Sequence, residues 1–221
     1  MLHKVTILME EFVTHDVKRF MISKPDGFTY QPGQGMELAI NRPGWTEQGR
    51  PFTPTCLPQD RILEFTIKRY PQHDSMTKHL HTLTAGDELL LSEAFGTITY
   101  QGPGTFIAGG AGVTPFIAII RNLAQHNKLQ GHSLIFSNKT PADVICEKEF
   151  RYYLREHCIL TCTQESSQGY DNRRIDMAFL KNTIENIDQH FYVCGPKAFV
   201  ENINGALKEL DANPDGLVFE R

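Results

Sequence analysis

The chain has 221 residues, enough for one large domain or two small ones. Hydrophobic residues make up 40% and charged residues 22%, ordinary for a soluble globular protein that buries a substantial core. A net charge of -4 speaks against a nucleic-acid binder, and no apolar run approaches membrane-spanning length.

The N-terminus, Met1-Leu2-His3-Lys4-Val5-Thr6, enters alternating sequence at once and lacks a signal-peptide apolar core, so a cytoplasmic location is expected. Val5, Ile7 and Met9 alternate with polar neighbours, and residues 17–23 form a second alternating run. Pro25-Asp26-Gly27 and Pro32-Gly33-Gln34 are turn signals. Further strand-like runs lie at 36–40, 62–68 and 88–92, with Arg50-Pro51-Phe52-Thr53 following a loop between them. Short strands with regular turns predict a closed antiparallel barrel over residues 1–102. One helical segment interrupts it, with Met76, His79, Leu80 and Leu83 on one face and Ala85-Gly86-Asp87 as its stop. His73, His79 and His81 around it read as solvated side chains, and no metal site is expected.

From Gly102-Pro103-Gly104 onward the pattern changes. Strand-like runs at 106–108, 133–137, 159–163, 191–194 and 217–219 alternate with helical runs at 115–126, 147–157, 176–186 and 197–210. This alternation predicts a five-stranded parallel α/β domain over residues 103–221. Its first strand leads into Gly109-Gly110-Ala111-Gly112-Val113-Thr114-Pro115, with proline well placed in the first helical turn. Exposed N–H groups and the helix dipole make such a turn an anion site, and glycine removes the Cβ that would hold a phosphate away. The pattern Gly110-x-Gly112-x-x-Pro115 is a variant of the dinucleotide fingerprint, and a plain strand-to-helix turn is its bland alternative. Ser137-Asn138-Lys139-Thr140 and Cys194-Gly195-Pro196 also fall at carboxyl ends of predicted strands, where open parallel sheets bind ligands. The five cysteines are odd in number and include no C-x-x-C, so neither a disulfide framework nor a zinc or iron–sulfur centre is expected.

Arg50-Pro51-Phe52-Thr53 resembles the R-x-Y-[ST] flavin motif of the ferredoxin–NADP reductase family. The order of Phe95-Gly96-Thr97, the glycine loop, Val193-Cys194-Gly195-Pro196 and a terminal acid is also similar. The resemblance covers nearly the whole chain. It implies FAD on the barrel, NADPH or NADH on the second domain, and hydride transfer between them. The electrons would go to a separate carrier such as ferredoxin or flavodoxin, or to a small-molecule acceptor. A non-catalytic flavin- or nucleotide-binding regulatory module is the alternative.

The same resemblance assigns roles. Arg50 would hold the flavin pyrophosphate, which a guanidinium fork suits. Phe52 stands where the family has tyrosine, keeping the stacking ring without the hydroxyl, or else belongs to barrel core. Thr53 would place its hydroxyl near the flavin ring. Ile67 and Lys68 offer backbone groups along an edge. Ser75, Met76 and Thr77, after Asp74, resemble the segment that caps the flavin diphosphate, and Ser75 or Thr77 also suits a helix cap. Gly110, Gly112, Val113, Thr114 and Pro115 would cradle the dinucleotide, with Gly195 and Pro196 beside it. Cys194 would pack against the nicotinamide, or be a buried structural thiol. Glu220 would relay a proton near the flavin, or be a solvated end residue. Asn138, Lys139 and Arg173 bear on coenzyme choice: Arg173 with Arg174 suits a 2′-phosphate and tilts the expectation to NADPH, or is a charged loop. Many relatives end with an aromatic ring that covers the flavin; this sequence stops at Arg221, so the resemblance leaves either Phe219 in that role or an open flavin face.

Overall fold

The computed structural model describes residues 2–70, 75–96, 98–213 and 216–219. The first half forms β1 (His3–Thr14), β2 (Val17–Ser23), β3 (Met36–Ile40), β4 (Arg50–Phe52), β5 (Ile62–Lys68) and β6 (Glu88–Leu91), with the short helix α1 (Met76–Leu80) before β6. These strands make one antiparallel sheet in the order β4-β3-β6-β1-β2-β5. The chain leaving β4 makes an isolated bridge to β5 at Pro54–Phe65, and the Thr55 N–H donates to the Glu64 carbonyl at 2.7 Å. Inward-facing Val5, Ile7, Phe20, Ile22, Leu38, Leu63, Phe65, Leu89 and Leu91 form its core, as alternation demands.

Two local expectations fail, at Met9 and at His81. Met9 is 44% exposed because the β1–β2 register shifts between Ile7 and Met9, which turns the strand's faces over. Arg50–Phe52 is a strand, although so short a segment holding a proline carries little strand signal. His81 is buried, not solvated: its Nε2 lies 2.8 Å from the Ile67 carbonyl and its ring meets Phe20 edge-on. Burial lowers its pKa, so the neutral ring is favoured.

The second half forms β7 (Gly104–Gly109), α2 (Thr114–Gln125), β8 (Ser133–Asn138), α3 (Glu147–Leu154), β9 (Cys158–Cys162), α4 (Met177–Thr183), β10 (His190–Cys194), α5 (Lys197–Glu209) and β11 (Leu217–Phe219). All strand pairs here are parallel, in the order β11-β10-β7-β8-β9. The chain steps from β7 to β8 and β9 on one side, then returns to β10 on the other. That reversal opens a crevice at the carboxyl ends of β7 and β10. No helix among the described residues is long and apolar enough to cross a membrane.

The halves are joined by shared core and by charge. Val17 and Ile98, both from the first half, are buried in the cluster that holds Val113, Phe116, Ile119 and Ile120. Each such aliphatic side chain contributes about 1.5–3 kcal/mol when fully buried. The Tyr192 hydroxyl accepts the N–H groups of Gln101 and Gly102, each at 3.0 Å, and donates to the Gly102 carbonyl, which ties down the connecting segment. On α2, Arg121 donates through Nη1 to the Thr55 carbonyl at 2.7 Å and to Glu64 Oε1 at 2.8 Å. Its Nε and Nη2 fork onto the Glu149 carboxylate at 2.7 and 2.9 Å.

Burial pushes the Glu64 carboxyl up, but the Thr55 hydroxyl at 2.6 Å and the Arg121 guanidinium outweigh it and leave the pKa below its ordinary value. A lowered carboxylate pKa stabilises the fold above the unfolded pKa, and that contribution is lost as pH falls through the folded value. Glu64→Gln is therefore expected to cost about 1–3 kcal/mol at pH 7. Denaturant titrations should show a constant gap from wild type above the ordinary glutamate pKa of about 4.3 that shrinks below it. A gap independent of pH would contradict the assignment.

Candidate active site

The β7 strand is buried along its whole length and winds directly into a 3-10 turn, Gly110–Val113, before α2 begins. Gly110 takes φ +54°, and a Cβ placed on it would meet nothing within 4 Å, so its face is open. Gly112 is required for a different reason. A Cβ there would stand 2.5 Å from the Cys194 carbonyl carbon and from Gly195 Cα. Gly112 thus lets the loop after β7 pack against the loop after β10. The Thr114 hydroxyl donates to the Ala111 carbonyl at 3.0 Å, and Pro115 sits in the first turn of α2. A glycine turn leading into a helix N-terminus in this way suits an anion.

This loop forms one wall of a cleft of about 710 Å³ between the two halves. The first half contributes Pro51, Phe52, Thr53, Ile67, Lys68 and Thr77. The second contributes Gly110, Gly112, Thr114, Pro115, Asn138, Lys139, Cys194, Gly195 and Pro196. Fifteen residues expected from sequence to act together therefore line one space. Phe52 lines the cleft and also packs against the core of the first sheet. Thr53 is 6% exposed and Cys194 2%, each buried at the cleft wall.

Other expected residues lie elsewhere. Arg50 is exposed on β4, next to the cleft-lining Pro51, and its Nη1 donates to the Gly49 carbonyl at 2.8 Å. The Ser75 hydroxyl caps α1 by accepting the Lys78 N–H at 3.4 Å. Met76 and Val113 point into the two cores. Arg173 does not line the cleft: it pairs with Asp171 at 2.6 Å and lies over the Phe179 ring. Asp74 and Glu220 lie outside the described residues.

Val17, Thr66, Tyr70, Asp143, Ile145, Thr163 and Phe199 also line the cleft. Thr66 shares β5 with Ile67 and Lys68, so its place was within reach of strand reasoning. Val17 arrives from a hairpin of the other half, for which the sequence carries no local signal. Asp143 follows β8 in a capping box with Thr140. Across the rim, Lys68 pairs with Asp16 at 2.7 Å, and His15 Nε2 lies 3.7 Å from Asp16 and 3.9 Å from Asp143. Burial raises the Asp16 pKa, but Lys68 more than offsets this and holds it below the ordinary range.

The Asn138 side chain is 5% exposed, and neither its amide oxygen nor its nitrogen has a hydrogen-bond partner. A buried amide with unused donors and acceptor is a site that a polar ligand satisfies. With the open face at Gly110, the cleft fits a dinucleotide on the second half, and Phe52 and Thr53 offer a ring face and a hydroxyl on the first.

Residues 4–100 match the family described as "Oxidoreductase FAD-binding domain", and residues 106–204 match "Oxidoreductase NAD-binding domain". The chain is similar to the ferredoxin–NAD(P)+ reductase component of the naphthalene 1,2-dioxygenase system of Pseudomonas putida, at 24% identity over 96% of this chain and 66% of that protein. It is similar to NADH-cytochrome b5 reductase 1 of Coccidioides immitis, at 28% identity over 93% of this chain and 74% of the relative. It spans 57% of the propane 2-monooxygenase reductase component of Mycolicibacterium smegmatis, so it is shorter than several of its curated relatives. In fold it resembles the ferredoxin NADP+ reductase of Neisseria gonorrhoeae, solved with bound FAD and NADP, at TM-score 0.82 and 21% identity. That match covers 96% of this chain and 92% of the other. The FAD/NAD-binding domain of Vibrio cholerae nitric oxide dioxygenase superposes at TM-score 0.86 and 22% identity, covering 98% and 97%.

Gly112→Ala and Gly110→Ala separate the two glycine roles. The first drives a Cβ into the backbone after β10 and is expected to cost about 1–3 kcal/mol of stability. It should also weaken dinucleotide binding by about tenfold, or 1.4 kcal/mol. Gly110→Ala carries only the left-handed penalty of about 1–2 kcal/mol in stability, but it sets a Cβ in the space kept open for the ligand and should weaken dinucleotide binding at least as much as Gly112→Ala. Calorimetric titration of both variants checks this, and equal, small effects would contradict it.

Proposed function

We propose that this chain, which belongs to the ferredoxin-reductase family of FAD- and NAD(P)H-dependent oxidoreductases, takes hydride from a nicotinamide dinucleotide and delivers electrons to a separate carrier such as a ferredoxin or flavodoxin. The observation that carries this reading is the single cleft in which Phe52 and Thr53 of one half face Gly110, Gly112 and Cys194 of the other. Residues 1–102 are then the FAD-binding half, with the curled antiparallel sheet as a barrel, and residues 103–221 the dinucleotide-binding half. A cytoplasmic location belongs to the same reading.

FAD, when bound, supplies the ability to accept an electron pair as hydride and to release electrons singly. The protein's part is orientation. Phe52 gives a ring for stacking, and the Thr53 hydroxyl is a buried donor and acceptor beside it. The backbone of Ile67 and Lys68 and the hydroxyl of Thr77 extend that wall, and Arg50, exposed beside Pro51, would hold a phosphate at its outer end.

The order of the parallel strands gives the dinucleotide a direction. Its pyrophosphate belongs at Gly110–Pro115 after β7. Its nicotinamide belongs on the β10 side, at Cys194-Gly195-Pro196, next to Thr53. Its adenosine half then runs over the ends of β8 and β9, where Asn138, Lys139 and Thr163 stand. Cys194 is small and buried, so it packs beside a ring without blocking approach. Hydride transfer asks for two rings held at near contact and little acid–base help. The Arg173 charge is already met by Asp171, so either NADH or NADPH suits the cleft as it stands.

The test is anaerobic mixing of the FAD-loaded protein with NADH and with NADPH. The yellow absorbance is expected to bleach with at least one of them. A protein that stays yellow with both would favour a non-catalytic binding module. Arg50→Ala is expected to retain less FAD after dialysis, and unchanged flavin content would remove Arg50 from the phosphate site.

A further inference from the structure

Arg121 is not a lining residue of the cleft, yet its guanidinium touches an element from each wall. It sits on α2, two helical turns beyond the glycine loop that opens that helix. Its Nη1 donates to the carbonyl of Thr55, two residues after the cleft-lining Thr53. The same nitrogen reaches Glu64 on β5, the strand that carries Thr66, Ile67 and Lys68. The Nε and Nη2 fork onto Glu149 of α3, the helix that follows the β8 loop with Asn138 and Lys139. One half-buried cation thus binds the flavin-side segment, the dinucleotide-side helix and the adenosine-side helix. Glu64 is held in turn by the Thr55 hydroxyl at 2.6 Å and by Arg19 at 3.6 Å, so the carboxylate cannot swing away freely.

We infer that Arg121 is a positioning residue for hydride transfer: it fixes the separation of the Thr53 wall from the Gly110–Cys194 wall, and with it the distance between the two reactive rings. This role rests on the proposed hydride-transfer function and adds a residue that touches neither ring. The physical ground is that a fork of rigid geometry, satisfied on both sides, resists sliding in a way that the apolar contacts of Val17 and Ile98 do not. A displacement of about 1 Å at such a site costs up to about 100-fold in rate.

The experiment compares FAD-loaded wild type with Arg121→Gln in anaerobic single-turnover reduction. The hydride-transfer rate constant is expected to fall by about tenfold or more, while FAD content and the coenzyme dissociation constant stay near wild type. The long-wavelength charge-transfer absorbance of the flavin–dinucleotide complex should weaken in parallel. Hydrogen exchange on the cofactor-free variant supplies a readout apart from turnover: protection should fall at both 53–55 and 110–114. Glu149→Gln, which keeps the Thr55 and Glu64 contacts, is a milder second variant and should slow transfer in the same direction. A folded, FAD-loaded Arg121→Gln that transfers hydride at the wild-type rate overturns the inference alone. Loss of coenzyme affinity with an unchanged rate also overturns it. A wild-type chain that transfers no hydride overturns the proposed function, and the inference with it.

Discussion

The structure depends on two unlike halves being fused across one cleft. Val17 and Ile98 leave the antiparallel half and are buried in the core of the parallel half, while Arg121 reaches back to Thr55 and Glu64. Val17 also lines the cleft, whereas Ile98 and Arg121 stand outside its lining, and together these contacts set the relation of the two walls. Apolar burial supplies most of the adhesion, because it is roughly proportional to area and indifferent to direction. The guanidinium fork supplies direction, because its hydrogen bonds weaken steeply with misalignment. A cleft for hydride transfer needs both, since the reaction is governed by distance and orientation more than by acid–base chemistry.

The same division appears among the glycines. Gly110 has open space around its Cβ position, and Gly112 has backbone there. One residue keeps room for a ligand, and the other lets two loops at neighbouring strand ends approach closely enough to share a wall. The strand order explains why those loops meet. β7 and β10 are hydrogen-bonded neighbours with Ala108 opposite Cys194, so their two exit loops emerge at the same level. The orphan amide of Asn138 at the end of β8 extends the polar floor to the far side of the glycine loop.

Much of this was legible in the sequence, for physical reasons. Helical spacing, alternation and glycine–proline turns are local signals, so the change from antiparallel to parallel architecture near Gly102 could be read directly. Phe52, Thr53, the glycine loop and Cys194-Gly195-Pro196 were legible because their motifs have a fixed order. What escaped was either a register effect or a contact over long sequence distance. The shift between Ile7 and Met9 reverses a strand face without changing composition. His81 is polar, and only the fold buries it against Phe20 and the Ile67 carbonyl. Arg173 looked like a phosphate ligand because its partner Asp171, two residues away, reads equally well as a loop acid. Arg121 gave no signal at all: its partners Thr55, Glu64 and Glu149 belong to three separate elements.

Both cofactors are expected to meet in the cleft between Thr53 and Cys194, and the proposed chemistry stands or falls on that meeting. A crystal structure of the chain with FAD and a non-reducing nicotinamide dinucleotide analogue tests it most directly. The flavin should lie on Phe52 and Thr53 and the pyrophosphate at Gly110–Pro115. The nicotinamide C4 should lie about 3–3.5 Å from the flavin ring, beside Cys194. A flavin or dinucleotide bound outside this cleft, or the two rings held apart by protein, would contradict it.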